Sequence, residues 1–251
     1  MTFRTTLLAV AALAPALPAL AQTGYPSRPV RLVVTLPPGG PTDILARYIG
    51  QKLGDTFSQQ FVIDNRPGGG GNIGAEIVAK APPDGYTLLV IALPFSVNAT
   101  LYGKLPYDSV RDFAPIIYAG ASANLLTVHP SVPIRSVPDL LALAKAKPGQ
   151  LLFASAGPGT SPHMAMELMK LMTGINMVHI PYKGGGPAVV DLLGGHVMMY
   201  CENLPNLLPH AQAGRLRAVA VTTAKRIRQA PELPTVAETI PGFEMPAWFG
   251  L

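Results

Sequence analysis

The residues best suited to chemistry lie in one short stretch, residues 155–163, which reads SAGPGTSPH. Ser155 and Ser161 are potential nucleophiles and His163 is a potential base, so a serine hydrolase is one hypothesis. The stretch lacks the GxSxG pattern that exposes a nucleophilic serine, and no acidic residue is placed to orient the histidine. Its glycines and hydroxyl groups also suit the binding of a small anion at the start of a helix.

The elements around this stretch would position it between a strand and a helix. Residues 151–154 predict a short buried strand, and the glycines that follow predict a tight loop. Ser161 and Pro162 then predict the N-cap and the first residue of a helix that ends before Gly174. Such a helix start directs unpaired N–H groups and a positive dipole at one point. An ordinary capped turn has the same residues, so both interpretations stay open for this stretch alone.

A second stretch, residues 32–50, repeats this order of features. Residues 32–36 predict a strand, the sequence PPGGP predicts a loop, and Thr42 with Asp43 predicts a helix start. The next strand, glycine loop and helix also recur in both halves, which predicts an α/β fold with two similar lobes. Because ligands bind at the carboxyl ends of strands in open α/β sheets, we expect the two loops to face one site.

The repeat also predicts how the chain is divided. We expect lobe 1 to comprise residues 22–120 and 226–251, and lobe 2 to comprise residues 121–225. The chain would cross between the lobes at residues 119–124 and 222–225, and two such crossings form a hinge. Residues 1–21 are expected to be a secretory signal peptide, with a small-residue cleavage site that ends at Ala21. No cysteine occupies that cleavage site, so we expect an unanchored protein of the periplasm.

The composition argues against several classes of function. The chain has 251 residues, of which 49% are hydrophobic and 13% are charged, so it can bury a substantial core. Its net charge of +5 is spread along the chain without a cluster of basic residues, which argues against nucleic-acid binding. The histidines lack the spacing of metal ligands and the glycine loops match no nucleotide-binding pattern, so no metal and no cofactor are expected. The single cysteine, Cys201, allows no intrachain disulfide.

Several longer stretches resemble one known family. They include PPGGPTD, DNRPGGGGNIGAE, SAGPGTSPHMAMEL, VHIPYKGGGPAVVDLLGGHV, ENLPNLLPHAQAGRLRAVAVT and WFGL. From Tyr25 to Leu251 the chain resembles the Bug-type extracytoplasmic solute-binding proteins of tripartite tricarboxylate transporters. The resemblance implies a two-lobed periplasmic-binding-protein fold of type II, which holds a small carboxylate between its lobes. It also implies a monomer that performs no catalysis and delivers its ligand to the membrane subunits of the transporter.

The resemblance further implies which residues contact the ligand. The loops at residues 36–43 and 155–163 would hold the carboxylate, and the loops at residues 95–98, 182–185 and 201–203 would line the rest of the site. The ligand-binding residues expected from these loops are Leu36, Pro38, Gly39, Gly40, Thr42, Asp43, Phe95, Ser96, Ser155, Ala156, Gly159, Thr160, Ser161, His163, Tyr182, Lys183, Gly184, Glu202 and Asn203.

The chain departs from the family pattern at positions that would select the ligand. Leu36 stands where members often have an aromatic residue, and Cys201 with Glu202 replaces a common Phe-Asp pair. Members continue beyond the position of Leu251, so lobe 1 is expected to be incomplete at its C-terminus. Two other functions stay open, namely the same fold serving a signalling system and the serine hydrolase.

Glu202 allows two interpretations, because a carboxylate in the cleft would repel a carboxylate ligand. It either faces away, toward Lys183 or solvent, or accepts a hydrogen bond from an amine or hydroxyl of the ligand. The second interpretation predicts that amino or hydroxy acids bind better than plain dicarboxylates.

Overall fold

The computed structural model describes residues 24–251, and the predicted signal peptide and its cleavage site lie outside the described residues. Two five-stranded sheets, each flanked by helices, form the fold. The first lobe contains β1 (Val30–Val34), α1 (Pro41–Phe57), β2 (Phe61–Asn65), α2 (Asn72–Ala79), β3 (Thr87–Ala92), α3 (Pro94–Leu101), β4 (Tyr118–Ser122) and, from the end of the chain, β10 (Ala247–Gly250). The second lobe contains β5 (Asn124–Val128), α4 (Val137–Ala146), β6 (Leu152–Ser155), α5 (Ser161–Thr173), β7 (Val178–Pro181), α6 (Gly185–Leu193), β8 (Met199–Asn203), α7 (Leu204–Gln212) and β9 (Arg217–Val221).

The two sheets have the same plan. The strand order is β2-β1-β3-β10-β4 in the first sheet and β7-β6-β8-β5-β9 in the second. In each sheet the first three strands are parallel, and the fourth is antiparallel to both of its neighbours. This arrangement confirms the predicted two-lobed α/β fold. Among the described residues, no helix is long and apolar enough to span a membrane.

The central strands are covered by helices on both faces. For this reason β1 and β5 read as nearly continuous apolar runs, VRLVV and NLLTV, instead of alternating patterns. Helix α4 begins where Ser136, its N-cap, accepts a hydrogen bond from the backbone N–H of Asp139. Helix α5 has Thr160, not Ser161, at its N-cap. The Thr160 hydroxyl donates instead to the carbonyl of Gly157, 2.6 Å away.

The two passages between the lobes differ from the expected crossings in one respect. Strands β4 and β5 are separated only by Ala123, which lies inside the expected crossing at residues 119–124. After β9, however, the chain stays with the second lobe, where Val236, Ile240 and Phe243 are buried in its main core. The chain returns to the first sheet between Met245, whose N–H donates to the carbonyl of Thr222, and the start of β10. The return lies later than expected because these apolar side chains fill the second core.

A further difference concerns residues 94–101, of which residues 95–98 were expected to form a loop. They form α3, with Pro94 in its first turn. The helix begins directly after β3 and turns Phe95 toward the first lobe, where its ring stacks on Tyr107 and meets the edge of Phe113.

Candidate functional site

A cavity of about 390 Å³ lies between the carboxyl ends of strands from both sheets. It is lined by residues 36–42, 92–94, 156, 160–162, 183–187, 189, 202, 203, 206 and 247–249. The lining therefore combines the loops that follow β1, β3, β6, β7 and β8 with strand β10. A cavity of this size suits a small organic molecule.

Twelve of the expected ligand-binding residues line this cavity. They are Leu36, Pro38, Gly39, Gly40, Thr42, Ala156, Thr160, Ser161, Lys183, Gly184, Glu202 and Asn203. The remaining seven are not part of the lining. They are Asp43, Phe95, Ser96, Ser155, Gly159, His163 and Tyr182. The Tyr182 hydroxyl donates to Asp191 and the Ser96 hydroxyl donates to the carbonyl of Leu93, so both groups are engaged within their own lobes.

Asp43 supports the first-lobe loop from behind. Its Oδ2 accepts hydrogen bonds from the N–H of Gly39 and from Arg47 Nε, both at 2.9 Å, and its Oδ1 accepts one from Asn65. Burial raises the pKa of Asp43, but these hydrogen bonds outweigh that effect and hold the pKa below its ordinary value of 3.8. Asp43 therefore stays charged and fixes the loop that lines the cavity.

His163 has the corresponding role in the second lobe. Its Nδ1 accepts a hydrogen bond of 3.2 Å from the N–H of Gly159. Because Nδ1 is the acceptor, the proton of the neutral ring lies on Nε2, which is 4.0 Å from Glu167 Oε1. Burial lowers the pKa of His163. His163 therefore supports the loop as a neutral ring.

Ser155 pairs with His179, a contact that was not expected from the sequence. Its Oγ lies 2.6 Å from His179 Nε2 and accepts a hydrogen bond from the N–H of Gly157. Among the described residues, neither Ser155 nor Ser161 hydrogen-bonds His163, so the expected serine–histidine pairs are not formed. Ser155 is fully buried. Burial and, to a smaller extent, the charge of the neighbouring His163 lower the pKa of His179 to about 4. The pair has the spacing of a nucleophile and its base, and Ser155 lies outside the cavity lining.

The cavity has a positive electrostatic potential where the loops that lead into α1 and α5 meet. The first turns of α1 and α5 line it with Thr42 and Ser161, so the positive ends of two helix dipoles lie at the same cavity. The Ser161 hydroxyl donates to Asn124 Oδ1 at 3.2 Å, which leaves attraction of an anion mainly to backbone N–H groups. Lys183 adds an exposed positive charge to the lining.

Glu202 contributes a buried carboxylate to the lining, in contrast to the exposed ammonium group of Lys183. It is 1% exposed, and its carboxylate accepts hydrogen bonds from the Tyr200 hydroxyl and from the backbone N–H and Nδ2 of Asn203. Burial raises the pKa of Glu202, and these hydrogen bonds oppose the rise. The interpretation in which Glu202 faces solvent or Lys183 is wrong, because its partners are buried neighbours of β8.

A family model described as the tripartite tricarboxylate transporter family receptor, TctC, matches residues 45–251. The chain belongs to this receptor family. It is 41% identical over 230 residues to the protein BugT of Bordetella pertussis, an alignment that covers 90% of this chain and 71% of BugT. It is 42% identical over 229 residues to a UPF0065 protein from the tcbD-tcbE intergenic region of Pseudomonas sp. strain P51, covering 90% of this chain and 68% of that protein.

Solved structures of similar proteins share the receptor's fold. Rpa4515 of R. palustris, a structure with adipate, is 42% identical with a TM-score of 0.86, over 90% of this chain and 76% of that one. MatC (Rpa3494) from Rhodopseudomonas palustris, with bound malate, is 31% identical with a TM-score of 0.83, over 90% and 78% of the two chains.

One wall of the receptor's cavity was not predicted from the sequence. Ala247, Trp248 and Phe249 of β10 line it, although the stretch WFGL served only to indicate the family. Their place depends on β10 entering between β3 and β4, far from its neighbours in sequence. Leu93 and Pro94 take the place expected for Phe95 and Ser96, because α3 starts directly after β3.

Proposed function

We propose that the receptor captures a small carboxylate between its two lobes in the periplasm and delivers it to a tripartite tricarboxylate-type membrane transporter. The observation that carries this proposal is the cavity between two helix starts, each belonging to a different lobe. Proteins with the same fold hold adipate and malate, which supports a carboxylate as the ligand. The proposal includes export by a signal peptide at residues 1–21 and action as a monomer.

In this function the protein binds its ligand and releases it unchanged. The carboxylate accepts hydrogen bonds from N–H groups of the loops around Gly40 and Ser161, with the two helix dipoles favouring its charge. Because each loop belongs to one lobe, the ligand holds the lobes together. The passages at Ala123 and at residues 245–247 are then the hinge, which revises the division of the chain to residues 24–122 with 247–251 and residues 124–245.

Calorimetry with malate and adipate tests the carboxylate proposal. We expect saturable binding of one molecule per chain, and a rise in unfolding temperature that grows with ligand concentration. The matched control is the diamide of adipic acid, which has the same carbon chain without charge and should bind weakly or not at all. Equal binding of the diamide would contradict recognition of the carboxylate.

Small-angle X-ray scattering tests lobe closure, and analysis of the recovered ligand tests the absence of catalysis. We expect the radius of gyration to fall when ligand saturates the receptor, and the ligand to be recovered intact after prolonged incubation. Chemical change of the ligand that depends on Ser155 would instead favour the hydrolase.

A further inference from the structure

Asn203 presents a buried hydrogen-bond acceptor without a partner in the cavity wall. It ends β8, lines the cavity and is 4% exposed. Within residues 24–251, its Oδ1 accepts no hydrogen bond. Buried polar atoms are rarely left in this state, because the loss of their hydration costs free energy that nothing returns. We therefore expect Asn203 Oδ1 to accept a hydrogen bond from a donor outside the chain.

Asn203 stands at a helix position where the side-chain oxygen of an asparagine ordinarily has a partner. Asn203 is the N-cap of α7, where an asparagine oxygen usually accepts a hydrogen bond from the helix backbone, yet its side chain forms no such bond. The side chain is turned toward Glu202 instead. Among the described residues, the Asn203 side chain therefore does not cap α7, which is the usual role of an asparagine at this position.

Glu202 determines which end of the Asn203 amide is left open. Its Oε1 accepts hydrogen bonds from the backbone N and from Nδ2 of Asn203, both at 2.7 Å. Rotating the amide would bring Oδ1 against the carboxylate, and two acceptors would then repel each other. The hydroxyl of Tyr200 holds the carboxylate in place. Glu202 is therefore a positioning residue that keeps Nδ2 inward and leaves Oδ1 free.

We propose that Asn203 Oδ1 accepts a hydrogen bond from a hydroxyl or amine of the ligand, so that the receptor selects carboxylates that carry such a donor. This inference rests on the proposed function, which holds the carboxylate at the helix starts of α1 and α5. The cavity then offers donors to one part of the ligand and an acceptor to another. A ligand that lacks the second group leaves a buried oxygen unpaired, which discriminates strongly.

Lys183 would favour a different class of ligand, the plain dicarboxylates. Its exposure indicates that it has less influence on ligand selection than Asn203. A second carboxylate would be attracted to its ammonium group, which would favour plain dicarboxylates. Lys183 is exposed at the cavity, where solvent weakens such an ion pair. Asn203 and Glu202 are buried, so an unsatisfied bond there has the larger effect on affinity.

The test compares acids that differ by a single hydroxyl. Malate and succinate form one such pair, and a series of hydroxy acids of increasing chain length, each with the same acid lacking the hydroxyl, forms the others. By calorimetry we expect at least one hydroxy acid to bind roughly 10- to 100-fold more tightly than its counterpart. Asn203→Ala should reduce that ratio to about one, and Glu202→Gln should reduce it in part by releasing the orientation of the amide.

Asn176→Ala is the matched control, since Asn176 is exposed, lies outside the cavity lining and should leave the ratio unchanged. If no acid binds the wild-type receptor, the proposed function itself fails. If acids bind but no hydroxy acid is preferred, or if Asn203→Ala preserves the preference, this inference is overturned. A preference for dicarboxylates that Lys183→Gln removes would overturn it as well. Should Asn203→Ala not fold, the wild-type ratios and Glu202→Gln still decide the question.

Discussion

The loops after β1 and β6 each contain a glycine with positive φ whose N–H is held by a side chain, but the chemical nature of that side chain differs. Gly39 and Gly159 have φ values of 79° and 77°, and each donates its N–H to the side chain four residues later. That side chain is a carboxylate in Asp43 and an imidazole in His163. The two lobes thus repeat a way of holding a loop, while the group that holds it differs.

The next helical turn continues the contrast. Arg47 donates to Asp43 at 2.9 Å, whereas Glu167 lies 4.0 Å from His163. The first-lobe loop therefore depends on a charged network, and the second-lobe loop depends on a neutral ring stacked on His179, with ring centroids 4.1 Å apart. We therefore predict that the two loops differ in their sensitivity to mutation and pH, although the N–H of a glycine is held by the side chain four residues later in both.

The largest expected effect comes from removing the charged acceptor. Asp43→Ala should lower the free energy of unfolding by about 2–4 kcal/mol, because it removes the acceptor of the Gly39 N–H and leaves the Asn65 amide with only its longer hydrogen bond to the carbonyl of Leu36. His163→Ala should cost about 1–2 kcal/mol, because it removes one neutral hydrogen bond and a ring contact. Urea denaturation of both variants measures the difference. Equal losses of stability would contradict the proposed difference between the charged network of the first lobe and the neutral ring of the second.

A smaller effect is expected from the two glycines themselves. Alanine at either position should cost about 1–2 kcal/mol of stability, because both positions have positive φ. A Cβ on Gly159 would also lie 3.2 Å from Val97 and 3.3 Å from Leu101 on α3 of the first lobe, whereas a Cβ on Gly39 would meet no described atom within 4 Å. Gly159→Ala should therefore oppose closure of the lobes as well.

Ligand titrations separate these contributions. We expect Gly159→Ala to weaken carboxylate binding about tenfold more than Gly39→Ala, since crowding at a packed contact costs about 1–3 kcal/mol. Scattering of the saturated variants should show that Gly159→Ala retains a larger radius of gyration. Equal affinities in the two variants would show that α3 moves away from the added methyl group without weakening ligand binding.

The comparison also shows which parts of the fold were accessible from sequence. Strand, glycine loop and helix follow one another in both lobes, so local patterns were sufficient to predict that the loops after β1 and β6 face one site. The other loops were expected only from the family resemblance, and residues 95–98 among them belong to a helix. Ser155 and His179 lie 24 residues apart, and they meet because Phe153 and His179 are register partners on β6 and β7. A contact of this kind depends on sheet register, which no spacing in the sequence encodes.

Trp248 illustrates the same limit. Its strand pairs with β3 and β4, which precede it by more than a hundred residues, and local patterns gave no sign of that insertion. Likewise, residues 226–246 were expected to belong to lobe 1, yet three of their apolar side chains complete the core of the second lobe. The long-range packing of these segments, not their local preference, sets where the hinge lies.

The smallest expected effect of a substitution concerns the pH dependence of the second lobe. His163 accepts the N–H of Gly159 only while its Nδ1 is unprotonated, and its neighbours are His179, Glu167 and Lys170. Burial holds the pKa of His163 below its ordinary value of 6.5, and the pKa of His179 is about 4. The unfolded chain therefore binds protons that the folded receptor does not. Stability should fall as the pH decreases from about 6.5 toward 4.

Asn at position 163 provides the control, because an amide oxygen can accept the same hydrogen bond without titrating. His163→Asn should make the ligand-free receptor lose less stability over that pH range, by up to about 1 kcal/mol for one neutral hydrogen bond. Asp43 has a lowered pKa and loses its contribution only at more acidic pH, so the first-lobe loop is unaffected there. Hydrogen exchange at pH 5 should accordingly increase at the start of α5 and not at the start of α1. Equal increases at both helix starts would mean that the two loops share one response to acid, and that the difference between Asp43 and His163 has no consequence for stability.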